Sequence, residues 1–268
     1  MSKNRRTKKL SREEQFEVEK LMEKQLTEYT NSLESNSIQS LLKQIHIEIK
    51  CKSENQKKLI NSIKEKEVTI CDGLAGCGKT FLSCAEALKL LKNNYPLYKK
   101  IVIVKSVTTL KDEELGFLKG DLSSKLEPVM YSFTGNFKKL IGTELYEKLS
   151  AQHLIEEMPI AYLRGVTLSD CIVIIDETQN ISVENMRTIM TRIGENTKYI
   201  ILGDIKQIDL KNKKNSSLER IMAKFELYDD FGIVRLGKED IVRHRLIAMI
   251  DEVFDSIEKE NLENQPKK

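Results

Sequence analysis

The sequence predicts an α/β fold, a doubly wound and mostly parallel five-stranded sheet, with an N-terminal helical arm. Three observations predict it. Five short apolar runs, Val68–Cys71, Ile101–Val104, Cys171–Ile175, Tyr199–Leu202 and Ile233–Leu236, are separated by helical patterns. Such β-branched runs suit strands buried on both faces of a parallel sheet. The first run feeds Gly73-Leu74-Ala75-Gly76-Cys77-Gly78-Lys79-Thr80, which fits G-x-x-x-x-G-K-[ST], and good helix formers follow from Phe81 to Leu88. Strand, glycine loop and helix together are the context of a phosphate-binding loop.

The 268 residues suit one large domain, or one domain with an appendage. A hydrophobic share of 40% allows a substantial core, and 32% charged residues imply a heavily charged surface. The net charge of +3 does not by itself argue for nucleic-acid binding, although Lys3, Arg5, Arg6, Lys8 and Lys9 crowd the first ten residues. No apolar run approaches the length that crosses a bilayer, and the N-terminus lacks the apolar stretch of a signal peptide. The expectation is therefore a cytoplasmic protein with no membrane partner. Cysteines number five, and Cys71, Cys77, Cys84 and Cys171 lie in or beside apparent core elements. That pattern suits reduced thiols, and no Cys/His spacing suits zinc.

Taken in order, residues 1–45 read as a charged arm. Ser11-Arg12-Glu13-Glu14 has the form of a capping box. Leu10, Phe16, Leu21, Met22, Leu26 and Tyr29 recur at helical intervals, so a helix is expected over about 12–31, followed by a loose serine and asparagine stretch to about 38. The arm admits two readings, a loosely packed helix or an oligomerisation arm. His46–Lys50 alternates apolar and charged, as a half-buried strand does. Ser53 to Lys57 leads into a helix ending near Glu65. A long insert, about 106–170, separates the second and third runs and should build a substructure above the site. In it Lys138 and Lys139 follow Phe137, either to hold a single strand by phosphate contacts and stacking or as a solvated helix face. Residues 46–254 form one predicted domain around the phosphate-binding loop. Glu239 to Leu246 opens a final helix, and 255–268 reads as a disordered tail.

The candidate site follows from chemistry at strand ends. Glycines let backbone N–H groups turn toward an anion, and the helix start adds its dipole. Lys79 can reach the β- and γ-phosphates of a nucleotide, and the Thr80 hydroxyl can hold Mg²⁺. The third run ends in Asp176-Glu177. Carboxyl strand ends face the same crevice as the loop, so Asp176 can hold Mg²⁺ through water and Glu177 can take a proton from the attacking water. Gly203-Asp204-Ile205-Lys206-Gln207 ends the fourth run, where Asp204 or Gln207 could sense the γ-phosphate. Gln56, upstream of the loop strand, is either a surface residue or a reader of the adenine edge. Arg243 could stabilise charge on the transferred phosphoryl group, within one subunit or from a neighbour.

A collinear set of motifs carries a resemblance beyond the phosphate loop. GLAGCGKT (73–80), ELGFLKGDL (114–122), AYLRGVTL (161–168), IVIIDETQN (172–180), TRIG (191–194), GDIKQIDL (203–210) and DIVRH (240–244) together make the chain resemble the PhoH-like family from about Gln56 to Phe254. The resemblance implies a RecA-like P-loop NTPase core related to superfamily-one helicases. It further implies ATP hydrolysis with Mg²⁺, action on RNA or single-stranded DNA, and a homo-oligomer of the hexameric-ring kind. By position it assigns Gln56 to adenine, Gly73 to Phe81 to the phosphates, Thr80 and Asp176 to the metal, and Glu177, Gln207 and Arg243 with Lys79 to catalysis. Asp204 and Gln179 match motif positions as well. Lys105-Ser106, Lys119, Val166 and Thr178 depart from the family pattern in segments that grip a strand. The compact length resembles a bacteriophage-encoded member. The runner-up function is a nucleotide-dependent assembly or regulatory protein. A small-molecule kinase, the third reading, is disfavoured by Glu177, which suits activation of water.

Overall fold

The computed structural model describes residue 20 and residues 35–105, 133–163, 165–210, 216–242, 249–250, 253–254 and 256–257. The chain divides into two compact units, Met1–Gln44 and Ile45–Lys268. In the first, helix α1 spans residues 35–43. Its start overlaps the stretch expected to be loose. Ile38, Leu41 and Leu42 stand at i, i+3 and i+4 and turn inward together, which is enough to wind those serines into a helix. The expected helix at 12–31 lies outside the described residues, apart from helical Lys20.

The second unit is an α/β domain. Its strands are β1 (Val68–Gly73), β2 (Lys100–Lys105), β3 (Ile155–Pro159), β4 (Cys171–Asp176), β5 (Thr197–Gly203) and β6 (Phe231–Leu236). They form one six-stranded sheet in the order β3-β2-β4-β5-β1-β6, and every pairing is parallel. The four central strands and the edge strand β6 carry the five apolar runs read from the sequence. One face packs on α6 (Val183–Met190) and α7 (Leu218–Phe225), through Val68, Ile70, Val173, Tyr199, Ile201, Met186 and Met222. The other takes α2 (Glu54–Glu65) and α3 (Lys79–Asn94), with Ser62 of α2 hydrogen-bonded to Thr69 at 2.9 Å.

The sixth strand, β3, corrects the expected count of five. Ile155-Glu156-Glu157-Met158-Pro159 carries two carboxylates and ends in proline, so it lacks the apolar run of a central strand. It sits at the sheet edge, where neither feature is costly. Glu156 meets Lys100 of β2 at 2.6 Å. A second correction concerns His46–Lys50. The segment alternates inward and outward as an extended chain but pairs with no strand among the described residues.

Helix α2 begins where expected. Ser53 caps it by accepting the Gln56 N–H at 3.1 Å, and Gln56, Leu59, Ile60 and Ile63 form its buried stripe. Within the insert, residues 133–141 form α4, Thr143–Ala151 form α5, and 106–132 lie outside the described residues. After β6, Lys238–Asp240 form a short 3-10 turn in place of the expected helix start. Arg243 and the segment from Glu258 also lie outside the described residues.

Candidate active site

The carboxyl ends of β1, β4 and β5 meet at a cavity of about 690 Å³. Between β1 and α3 the loop doubles back because Gly76 and Gly78 take φ of 85° and 83°, a left-handed region closed to most side chains. Ala75, Gly76, Gly78, Lys79, Thr80 and Phe81 line the cavity. Gly73, Leu74 and Cys77, predicted with them, do not. Cys77 is fully buried and its amide closes a turn onto the Leu74 carbonyl. Lys79 folds back, its Nζ donating to the Gly73 carbonyl at 2.9 Å.

Across the cavity, Thr80 donates its hydroxyl to Asp176 Oδ2 at 3.0 Å. The other oxygen, Oδ1, accepts the Glu177 N–H at 2.9 Å. Burial pushes the Asp176 carboxyl above the usual carboxylate range, and the nearby Glu177 charge adds to this. A hydroxyl and a carboxylate this close are a hard-oxygen donor pair. They fit Mg²⁺, which takes one or two protein oxygens and completes its shell with phosphates and water. Among the described residues no group of three or more His, Cys, Asp or Glu could hold a metal by itself.

Glu177 adopts φ 58°, an uncommon conformation for a side-chain-bearing residue and one that clusters at functional sites. Its backbone is held by Asp176 Oδ1 on its N–H and by the Asn180 N–H on its carbonyl, and the fully buried Gln179 holds its side chain. Gln179 Nε2 donates to Glu177 Oε2 at 2.7 Å and to the Gln207 carbonyl at 3.1 Å, while Gln179 Oε1 accepts the Asp204 N–H at 3.0 Å. Gln207 lines the cavity. Asp204, expected beside it, does not: it is buried and caps its own turn by accepting the Lys206 N–H. Asp72 at the end of β1 accepts the Ile205 N–H at 3.0 Å, so the same turn is tied to both strands. Burial raises the Asp72 carboxyl as well.

Gln56 reaches the cavity from α2 but is already engaged. Its Nε2 donates to the carbonyls of Cys77 and Asp240, at 3.0 and 3.3 Å, and its Oε1 accepts the Lys52 N–H at 2.7 Å. Adenine reading by this amide requires one of those carbonyls to be released. The segment after β6 joins the same cluster. Asn55 donates to Asp240 Oδ2 at 3.1 Å, and the Val242 N–H donates to the Gly76 carbonyl at 3.1 Å.

The strand-gripping reading of Phe137 with its two lysines is corrected. Phe137 is fully buried and stacked on Tyr146 at 6.1 Å, so it has no face left for a base. Lys138 lies over Tyr146 and pairs with Glu147 at 3.5 Å. Lys139 instead lines the cavity, with Asn136. Sequence reasoning also missed Ile49, Lys50 and Lys52 at the opposite end of the lining. Their nearness to Gln56 was a usable signal, but the alternation at 46–50 spoke for a strand. Nothing in the sequence places Asn136 and Lys139, because the folding of the insert delivers them.

A family model described as PhoH-like protein matches residues 48–255. The PhoH-like protein of Bacillus subtilis is 34% identical over 236 residues, which are 88% of this chain and 72% of that protein. Protein PhoH of Escherichia coli K12 is 35% identical over 202 residues, or 74% of this chain and 56% of that protein. Among solved structures, the large terminase of a thermophilic bacteriophage overlaps 73% of this chain and 48% of its own, with 11% identity and a TM-score of 0.42.

Proposed function

The chain belongs to the PhoH-like protein family, and from that premise we propose a Mg²⁺-dependent ATP hydrolase that couples turnover to remodelling of RNA or single-stranded DNA. In its broad class it is an ATPase of the P-loop kind. The meeting of Thr80 and Asp176 at 3.0 Å beside Glu177 supports the Mg²⁺-dependent hydrolysis, and the family resemblance alone supports the coupling to a nucleic-acid strand.

In this reading Lys79 leaves the Gly73 carbonyl and turns to the β- and γ-phosphates. Thr80 and Asp176 hold the metal, Asp176 through water. Mg²⁺, when bound, neutralises charge on the phosphates. Glu177 orients water in line with the γ-phosphate and accepts its proton. Gln179 keeps that carboxylate in place and links it to the turn carrying Gln207, so loss of the γ-phosphate is felt at residues 203–207. Arg243, supplied by its own or a neighbouring subunit, completes the charge on the transferred group.

One observation favours the alternative, a nucleotide-dependent assembly protein. The Val242 N–H rests on the Gly76 carbonyl, so the phosphate loop is joined directly to the segment that leads to Arg243. ATP turnover measured with and without RNA and single-stranded DNA separates the two. Stimulation by a strand supports remodelling. Turnover indifferent to any strand, with an oligomeric state that changes between ATP and ADP, supports assembly.

A further inference from the structure

Helix α4 is anchored from behind. Phe133 and Phe137, one turn apart, are fully buried, and Phe137 stacks on Tyr146 of α5. Residues three apart on a helix share a face. Asn136 and Lys139 accordingly project together, and both line the cavity that holds Lys79, Thr80 and Phe81. Lys139 Nζ lies 5.6 Å from the centre of the Phe81 ring, and Phe81 follows Thr80 directly in the first turn of α3.

Two features set this lysine apart. Its neighbour Lys138 is engaged by Glu147 and the Tyr146 ring. No carboxylate among the described residues pairs with Lys139, whose recorded partner is the ring face, a weak hold at an exposed site. The lining is also strongly cationic. Among the described residues it contains Lys50, Lys52, Lys79 and Lys139 against Asp176 and Glu177, a balance that suits a polyphosphate.

We propose that Lys139 is a nucleotide-contacting residue, which leaves the Phe81 ring and places its ammonium on the triphosphate beside Lys79. The inference rests on the ATP-site reading above. A lysine on a flexible four-carbon stem exchanges a ring face for phosphate oxygens without moving its backbone. The consequence is that part of the insert belongs to the nucleotide site: bound triphosphate braces α4 against the start of α3, and its release frees that helix face.

The test is nucleotide titration and steady-state turnover for wild type, Lys139→Ala, Lys139→Arg, Lys138→Ala and Lys79→Ala, each first checked for an unchanged circular dichroism spectrum. Loss of one charge-assisted contact should weaken ATP binding and raise KM roughly tenfold in Lys139→Ala. kcat should fall much less, and adenosine binding should not change. Lys139→Arg should recover most of the affinity, and Lys138→Ala should bind as wild type does. ATP affinity within twofold of wild type in Lys139→Ala, alongside loss of binding in Lys79→Ala, overturns this inference and leaves the ATP site standing. A loss shared equally by Lys139→Arg, or by adenosine, points to packing instead of charge and also overturns it. Wild-type binding in Lys79→Ala sinks the ATP-site reading, and the inference with it.

Discussion

Replacing Gln179 by alanine should separate ATP binding from hydrolysis. The side chain is fully buried and makes three hydrogen bonds, to Glu177, to the Gln207 carbonyl and from the Asp204 N–H. Truncation leaves the Asp204 N–H without an acceptor in a buried place, which costs about 1–3 kcal/mol, and forfeits about 1 kcal/mol for each remaining bond. Together the expected destabilisation is about 3–5 kcal/mol. Glu177 meanwhile loses the side-chain bond that orients its carboxylate. A carboxylate free to leave the line of attack acts as an absent base, so turnover should fall about 10²–10⁴-fold. ATP affinity should change little, because Gln179 does not line the cavity. Gln179→Glu sharpens the test. It keeps an acceptor for the Asp204 N–H but sets a second carboxylate against Glu177 at bonding distance, where the pair shares a proton. Stability should then fall less than in the alanine variant, while turnover stays low. Urea unfolding, nucleotide titration and phosphate release read the three quantities separately. Wild-type turnover in Gln179→Ala refutes the claim that Glu177 depends on this bond.

Three further outcomes are expected. Glu177→Gln should retain ATP affinity and lose about 10²–10⁴ in turnover, since an amide cannot take the proton; near-normal phosphate release would assign the water to another residue. Gly203→Ala should cost about 1–3 kcal/mol, because a Cβ there would stand 2.5 Å from Leu218 Cδ2, 2.8 Å from Thr178 Oγ1 and 2.9 Å from Gln179 Oε1; thermal unfolding at the wild-type temperature contradicts it. Thiol titration at about pH 8 should find Cys51 alone reactive in the native protein and all five cysteines after denaturation. Burial raises all five thiols, that of Cys171 to about 11, but Cys51 alone is partly open to reagent while the other four are buried. A second fast thiol in the native state counts against a closed core around the phosphate loop.

What was legible in the sequence divides along physical lines. Central strands buried on both faces have one solution, a continuous β-branched run, so β1, β2, β4 and β5 could be read directly, and β6, though at an edge, kept enough of such a run at Ile233–Leu236 to be read with them. The edge strand β3 answers to water on one side and carries Glu156 and Glu157, which hid it. The reverse error, a strand expected at His46–Lys50, arose because alternation reports extended backbone facing a core, whether or not a ladder partner exists. Motif residues were legible for a related reason. Lys79, Thr80, Asp176 and Glu177 must stand at fixed offsets from strand ends, and fixed offsets survive in one dimension. Lys139 has no such offset. Its place beside Phe81 depends on two buried phenylalanines and the fold of the insert, and a lysine next to a phenylalanine reads the same whether the ring faces a base or a core.

The carbonyls of the phosphate loop show why Gln56 was ambiguous and what the ambiguity means. The Gly73 carbonyl is held by Lys79, that of Gly76 by the Val242 N–H, and that of Cys77 by Gln56, which also grips the Asp240 carbonyl. A nucleotide that draws Lys79 to its phosphates frees the first of these and leaves the other two. The loop then adjusts against α2 on one side and the segment after β6 on the other. Asp240 sits at that joint, buried, with Oδ2 bonded to the Gly237 N–H and Asn55, and Oδ1 without a hydrogen-bond partner among the described residues. A buried carboxylate oxygen left unpaired is costly, and a small rearrangement that supplies it a donor is favoured. The joint is bonded to the loop at two points, through Gln56 on the Asp240 and Cys77 carbonyls and through the Val242 N–H on the Gly76 carbonyl, so a displacement of the loop pulls on the bonds around Asp240.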